Sequence, residues 1–242
     1  MIKSTFHSTI FLLSFWVVSL GCERQPSNTD RTVSQPELSA NPVGTNRSVS
    51  TNGKRSPGIA EDYINTNRVI WQKPDMIIDL LGDLSGKTVA DIGAGTGFFA
   101  LRITPRAKKV IAIDIDSRFV NYLDSVKVLE LPENMQSRLE ARLAEPNDPH
   151  LKPGEVDIIM IVNTFMYIQN KIDYLKILHR GLSPQGRLLI VDFKKKRTPI
   201  GPPSEIRTPI HEVEEALYTA GYRNIQTNDT ALDYQYIITA EK

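Results

Sequence analysis

The sequence predicts an α/β protein organised on a parallel, doubly wound sheet. Three observations carry that prediction. Short apolar runs alternate with helical patterns from about residue 88 onward. A glycine-rich turn, Gly93-Ala94-Gly95-Thr96-Gly97, lies directly between the first apolar run and the helical pattern after it. Hydrophobic residues make up 40% and charged residues 24% of the 242 positions, ordinary globular proportions that let most of the chain bury a core.

The elements follow in order. Folded structure is expected from about residue 59. The stretch "EDYINTNRVIWQKPDMIIDLLGDL" places Ile64, Ile70, Trp71, Met76, Ile77, Leu80 and Leu81 at helical spacing. Pro74 divides it, and the second helix begins at Pro74 or Asp75. "TVADIG" then reads as a strand, "GFFALRI" as a helix, "KVIAIDI" as a strand and "SRFVNYLDSVKVLEL" as a helix. "RLEARLA" is a weakly patterned strand, "VDIIMIV" a strand, "NKIDYLKILHRGL" a helix and "GRLLIVDF" a strand. "PIHEVEEALYTAGY" is a helix, with Thr208 at its N-cap, Pro209 in its first position and Gly221 just past its end. Two strands close the chain, "NIQTND" and "DYQYIITAEK". Strands alternating with helices of this length form βαβ units and so a parallel sheet.

Several function classes are excluded early. A net charge of +1 gives no reason to expect a nucleic-acid surface. The single cysteine, Cys22, leaves no pair for a disulfide or for a Cys-pair zinc site. The four histidines, His7, His150, His179 and His211, lack the i,i+4 spacing of paired ligands, and no metal is expected.

The N-terminus has a secretory grammar. Lys3 and the amine precede the apolar run "TIFLLSFWVVSL". A dozen or so residues make a helix of about 18 Å against a hydrocarbon core of about 30 Å, short for a permanent span. Ser19-Leu20-Gly21-Cys22 follows and resembles the lipobox of bacterial lipoproteins, in which the signal is cut before the cysteine and the new N-terminal Cys is acylated. That family prefers Leu where this chain has Ser19. Residues 1–22 are therefore read as a signal with lipidation at Cys22, the alternative being an uncleaved anchor. Residues 23–58, rich in Ser, Thr, Asn and Pro, form a disordered tether. Residues 59–242 form the folded domain.

The glycine-rich turn carries the chemistry. Glycines there permit positive φ and close approach of a ligand to the backbone. The dinucleotide fingerprint needs a small residue at position 98, which here is Phe98, and no Walker lysine follows. Asp114 ends the next strand, where an acid can accept both hydroxyls of a ribose. Asp91 precedes the turn, where it either holds an ammonium group or orders the loop amides. The ligand so described has a ribose and a cationic or zwitterionic end but no phosphate.

"VADIGAGTG" and "AIDID", with "VDIIMIVNTF" and "RGLSPQGRLLIVDF" after them, resemble the class I S-adenosylmethionine-dependent methyltransferases, and more narrowly the small-molecule enzymes of quinone-biosynthesis type. The resemblance covers about residues 61–242. It implies a Rossmann-like, mostly parallel seven-stranded sheet with an antiparallel C-terminal strand. It implies S-adenosyl-L-methionine as cofactor, held by Asp91, Gly93, Gly95, Gly97 and Asp114, with Ile115 along the adenine. Glu145 stands near the place of an adenine-contacting acid. Asn163 borders the cofactor, while Phe165, Met166 and Tyr167 line the methyl-transfer pocket. Arg68, Trp71 and Gln72 belong to a lid segment.

The implied reaction is methyl transfer to an unidentified small molecule by aligned in-line attack with water excluded. His211 is the candidate base, following the long basic loop after the fifth strand, with Tyr167 a second candidate and Arg207 a holder of an acidic substrate. The alternatives are a catalytically silent S-adenosylmethionine- or nucleoside-binding lipoprotein and an NAD-dependent enzyme, the latter disfavoured by Phe98. The expected location is membrane-associated through Cys22. The signal favours export, and a cofactor made in the cytoplasm favours the other side.

Overall fold

The computed structural model describes residues 67–242. The signal, Cys22, the tether and the start of the folded domain lie outside the described residues. Among the described residues no helix is long and apolar enough to cross a membrane.

Two short helices lead in, α1 (Arg68–Gln72) and α2 (Pro74–Asp79), divided at Lys73, whose φ of 49° turns the chain between them. Pro74 takes the first position of α2, where its missing N–H costs no helical bond. Strand β1 (Thr88–Ile92) opens the sheet, and the turn at 93–99 passes into α3 (Ala100–Ile103). That helix is shorter than its apolar pattern predicts, because the glycine turn takes up the residues before it. Strand β2 (Lys109–Asp114) leads to α4 (Ser117–Glu130), capped by the Asp116 carboxylate accepting from Arg118 N–H at 2.9 Å. The chain continues through α5 (Glu133–Gln136), β3 (Leu139–Leu143) and β4 (Val156–Val162). After β4 come a 3₁₀ turn (Phe165–Tyr167), α6 (Lys171–Gly181) and β5 (Leu182–Phe193). Helix α7 (Ile210–Ala220) precedes β6 (Arg223–Asn228) and β7 (Gln235–Glu241). Its N-cap is Pro209 rather than Thr208. Thr208 is buried, and its carbonyl accepts from the Tyr236 hydroxyl at 3.3 Å instead.

The seven strands run in the order β3-β2-β1-β4-β5-β7-β6. β1 to β5 are parallel, and β7 is antiparallel to both its neighbours. Helices cover both faces, which is why the central strands read as continuous apolar runs rather than alternating ones. On β4, Ile159 and Ile161 pack with Leu175, Leu178, Val213 and Leu217 of α6 and α7. Ile158, Met160 and Val162 pack with Ile77, Ile103 and Leu123 of α2, α3 and α4. Chain order reverses between β1 and β4, so the connections diverge there and leave a crevice at the carboxyl ends of the strands.

Candidate functional site

That crevice is a cavity of about 750 Å³. It is walled by the ends of β1, β2, β4 and β5 and the segments that leave them. The glycine turn is its floor. Gly93 and Ala94 both donate to the carbonyl of Ile113, at 2.8 and 3.0 Å, so the turn begins as an extension of the β1–β2 pairing. The chain then lifts away, and Gly95 N–H donates to Asp114 Oδ2 at 2.8 Å. Asp114 Oδ1 accepts from Asp116 N–H at 3.0 Å, so one carboxylate fixes both the turn and the entry to α4. Gly93 has φ +74°, and a Cβ there would overlap the Thr164 side chain. Gly95 has φ +53° and open space where a Cβ would stand, so ligand atoms can reach the backbone there.

Asp91 is the second acid of the wall. It is almost fully buried, and burial raises its carboxyl to about 7, opposed by the Arg68 guanidinium and the Ala100 N–H. Arg68 is itself pulled down to about 10 by burial and so stays a cation at neutral pH. Its guanidinium lies 4.0 Å from the centroid of the Phe98 ring, and Arg102 lies 4.1 Å from the same centroid. Phe98, which excludes the dinucleotide pattern, thus stacks against α1 and holds it over the glycine turn.

Gln72 anchors α1. It is fully buried and bonds Arg68 Nε at 2.5 Å and Gln235 Oε1 at 3.0 Å. Its amide also approaches Asn163 Oδ1 at 3.4 Å, an oxygen that accepts from Gln235 Nε2 too. Asn163 stands at φ 58°, an uncommon conformation for a residue other than glycine, held here by this buried amide cluster.

The cavity wall includes Arg68, Trp71, Asp91, Gly93, Gly95, Asp114, Ile115, Asn163, Met166 and Tyr167. The structure places six other predicted residues elsewhere. Gln72 is fully buried and lies outside the cavity wall. Gly97 and the fully buried Phe165 support the wall from behind. Glu145 is exposed, its backbone engaged with Asp148, while its neighbours Ala144 and Pro146 line the cavity in its place. His211 sits exposed on the first turn of α7, off the buried face formed by Val213, Ala216, Leu217 and Ala220, and outside the cavity. It is not positioned as a base. Arg207 is not available to an acidic substrate either. It is buried and donates to the carbonyls of Lys194, Lys196, Ile200 and Pro202, which makes it the pin of its own loop.

One residue was missed from the sequence. Asp192, near the end of β5, accepts from Met166 N–H and Phe193 N–H, both at 2.9 Å, and so ties the 3₁₀ turn to the cavity wall. Burial raises it to about 7. An acid ending an apolar run, as at Asp91 and Asp114, was the available signal.

The geometry divides the cavity. Asp114, Ile115 and the glycine turn offer acceptors and an open backbone at the β1–β2 end, suited to a nucleoside. The β4–β5 end is walled by Trp71, Met166, Tyr167, Phe193, Ile200 and Pro202. Among the described residues no lysine, histidine, cysteine or glutamate lines either part. Among the described residues no group of three or more metal-ligating side chains comes together.

Known proteins resemble this chain in sequence and fold. A family model described as a methyltransferase domain matches residues 90–190. The ubiquinone/menaquinone biosynthesis C-methyltransferase of Haemophilus ducreyi is 29% identical over 132 residues, 52% of this chain and 48% of that protein. Phosphoethanolamine N-methyltransferase 1 of Arabidopsis thaliana is 22% identical over 165 residues, 64% of this chain and 33% of that protein. A solved S-adenosylmethionine-dependent methyltransferase from Aquifex aeolicus superposes with a TM-score of 0.65 at 28% identity, covering 72% of this chain and 92% of its own. The chain spans about half or less of the length of these curated relatives. One relative is named for carbon and the other for nitrogen, so the likeness carries the domain and leaves the acceptor open.

Two outcomes follow from the site's geometry. Gly95→Ala should cost about 1–2 kcal/mol for a left-handed residue, and Gly93→Ala about 1–3 kcal/mol more for its overlap with Thr164, measured by urea unfolding. A reversed order would contradict the packing described. The second concerns pH. Asp91 and Asp192 keep their protons up to about 7 in the fold but titrate near 3.8 when unfolded. The folded state therefore binds more protons in that window, and stability is complete below it and lost as pH rises through about 7. The thermal midpoint should fall between about pH 4 and 7, and Asp91→Asn should flatten that fall. An unchanged slope in the variant would remove Asp91 from the account.

Proposed function

We propose, for a chain whose residues 90–190 form an S-adenosylmethionine-dependent methyltransferase domain, that it transfers the cofactor's methyl group to a small apolar molecule. The observation that carries this reading is the join between Gly95 and Asp114 at one end of a cavity whose other end is apolar. When bound, S-adenosylmethionine supplies a methyl carbon on a sulfonium, whose C–S bond breaks as the acceptor atom bonds to that carbon and sulfur keeps the electron pair.

The chain's own residues do the rest. Asp114 presents carboxylate oxygens to the ribose, and the open backbone at Gly95 admits the rest of the nucleoside. Asp91 is placed to meet an ammonium group, which would draw its carboxyl back toward the ionised form. Trp71 and Arg68 cover the cavity from above and exclude water, while Met166, Tyr167 and Phe193 hold the acceptor in line. Tyr167 stands in the acceptor half, and among the described residues no imidazole lines the cavity. The acceptor therefore needs a nucleophile already ionised or activated, or one that Tyr167 can assist.

The test is transfer of labelled methyl from S-adenosylmethionine into small molecules extracted from the source cells. The expected result is label in an organic-soluble product, with His211→Ala within about twofold of the parent rate, since a surface substitution away from the site changes little. Cofactor binding with no transfer into any fraction would overturn the enzymatic reading. A loss of more than about tenfold in His211→Ala would restore the histidine as base.

Attachment to a membrane through Cys22 belongs to the same proposal and rests on the lipobox-like Ser19-Leu20-Gly21-Cys22. Mass spectrometry of the protein purified from membranes should find its N-terminus at an acylated Cys22. An intact N-terminal segment with a free thiol would contradict it.

A further inference from the structure

Trp71 carries an indole N–H that the fold leaves unspent. Its Nε1 is shut off from solvent and has no hydrogen-bond partner among the described residues. An orphaned buried donor is costly, so such a group marks a place where something else supplies the acceptor. The ring stands in the cavity wall, its centroid 5.7 Å from that of Phe193 at the end of β5. β5 lies beyond β4 from β1 and β2, so this is the end of the cavity opposite Asp114. The walls around it, Met166, Tyr167, Ile200 and Pro202, are mainly apolar.

A cationic acceptor does not suit this end. The Arg207 guanidinium already stacks over Phe193 at 5.2 Å, and Arg68 lies over Phe98 at 4.0 Å. Two of the aromatic rings that could receive an ammonium are thus engaged by the chain's own cations, which repel another positive charge. The complement of the wall is a flat apolar molecule with a single oxygen acceptor.

Building on the methyltransferase reading, we propose that Trp71 is a specificity-determining residue whose indole, turning within the cavity wall as the methyl acceptor enters, donates its N–H to a carbonyl or hydroxyl oxygen on that molecule. The ring stacks beside Phe193 and supplies apolar surface, while the N–H fixes which edge of the acceptor faces inward. A molecule of the same shape without the oxygen would leave the donor unpaired, and a site built to hydrogen-bond discriminates strongly against such an analogue.

The test uses simple probes on the full chain loaded with S-adenosylhomocysteine. The Trp71 indole N–H signal in a proton–nitrogen correlation spectrum is assigned with Trp71→Phe, which separates it from that of Trp16 where the N-terminal segment is retained. Titration with 1-indanone should move the Trp71 indole proton downfield, while indane, its deoxygenated counterpart, should not. Trp71→Phe should bind 1-indanone roughly three- to tenfold more weakly, as expected for one lost hydrogen bond. Retained S-adenosylhomocysteine binding with no indole shift, or tighter binding of benzyltrimethylammonium than of 1-indanone, overturns this proposal alone. Failure of both chains to bind S-adenosylhomocysteine overturns the cofactor reading on which it rests.

Discussion

The rest of the site depends on one hydrogen bond, from Gly95 N–H to the Asp114 carboxylate. Parallel pairing alone brings β1 and β2 side by side and carries the chain as far as Ala94, whose N–H still reaches the carbonyl of Ile113. Beyond that point no strand remains to pair with. A charged acceptor on the neighbouring strand takes over, and such bonds are roughly twice as strong as neutral ones. Because the same carboxylate also receives Asp116 N–H, the turn, the end of β2 and the start of α4 are set together. The open space at Gly95 and the position of Asp114 in the cavity wall are thus consequences of one arrangement.

Around that join the fold accepts local strain and buried charge. Asp91 and Asp192 are carboxyls placed where apolar burial disfavours their ions, and Asn163 holds a left-handed backbone. Each is offset by neighbours: Arg68 beside Asp91, two backbone amides on Asp192, and the buried amides of Gln72 and Gln235 on Asn163. All three lie at the carboxyl ends of the strands, where the crevice opens. The core on either side, built from alternate residues of β4 and its neighbours, supplies the rigidity that keeps them there.

Much of this was legible in the sequence, and the reasons are local. Strands buried on both faces announce themselves as apolar runs, and Asp91, Gly93, Gly95 and Asp114 stand at fixed places relative to two of them. The division of the lead-in helices at Pro74 follows from proline chemistry, and Asp116 caps α4 as its type and position suggest. What failed depended on long-range placement. Arg207 looks like an anion receptor until its loop folds around it and presents carbonyls. Gln72 reads as a lid residue, but its partner Gln235 is 163 positions away. His211 was judged by its nearness to a long loop. The helical phase of Val213, Ala216, Leu217 and Ala220 already put it off the packed face. The role of Asp192 was readable, since it repeats the pattern of an acid closing an apolar strand.

The most direct test of the central claim is a calorimetric titration of S-adenosylmethionine into the parent chain and into Asp114→Ala. The account predicts saturable binding to the parent and at least about tenfold weaker binding to the variant, because both the ribose acceptor and the Gly95 tether are lost together. Equal affinities in the two proteins would contradict it.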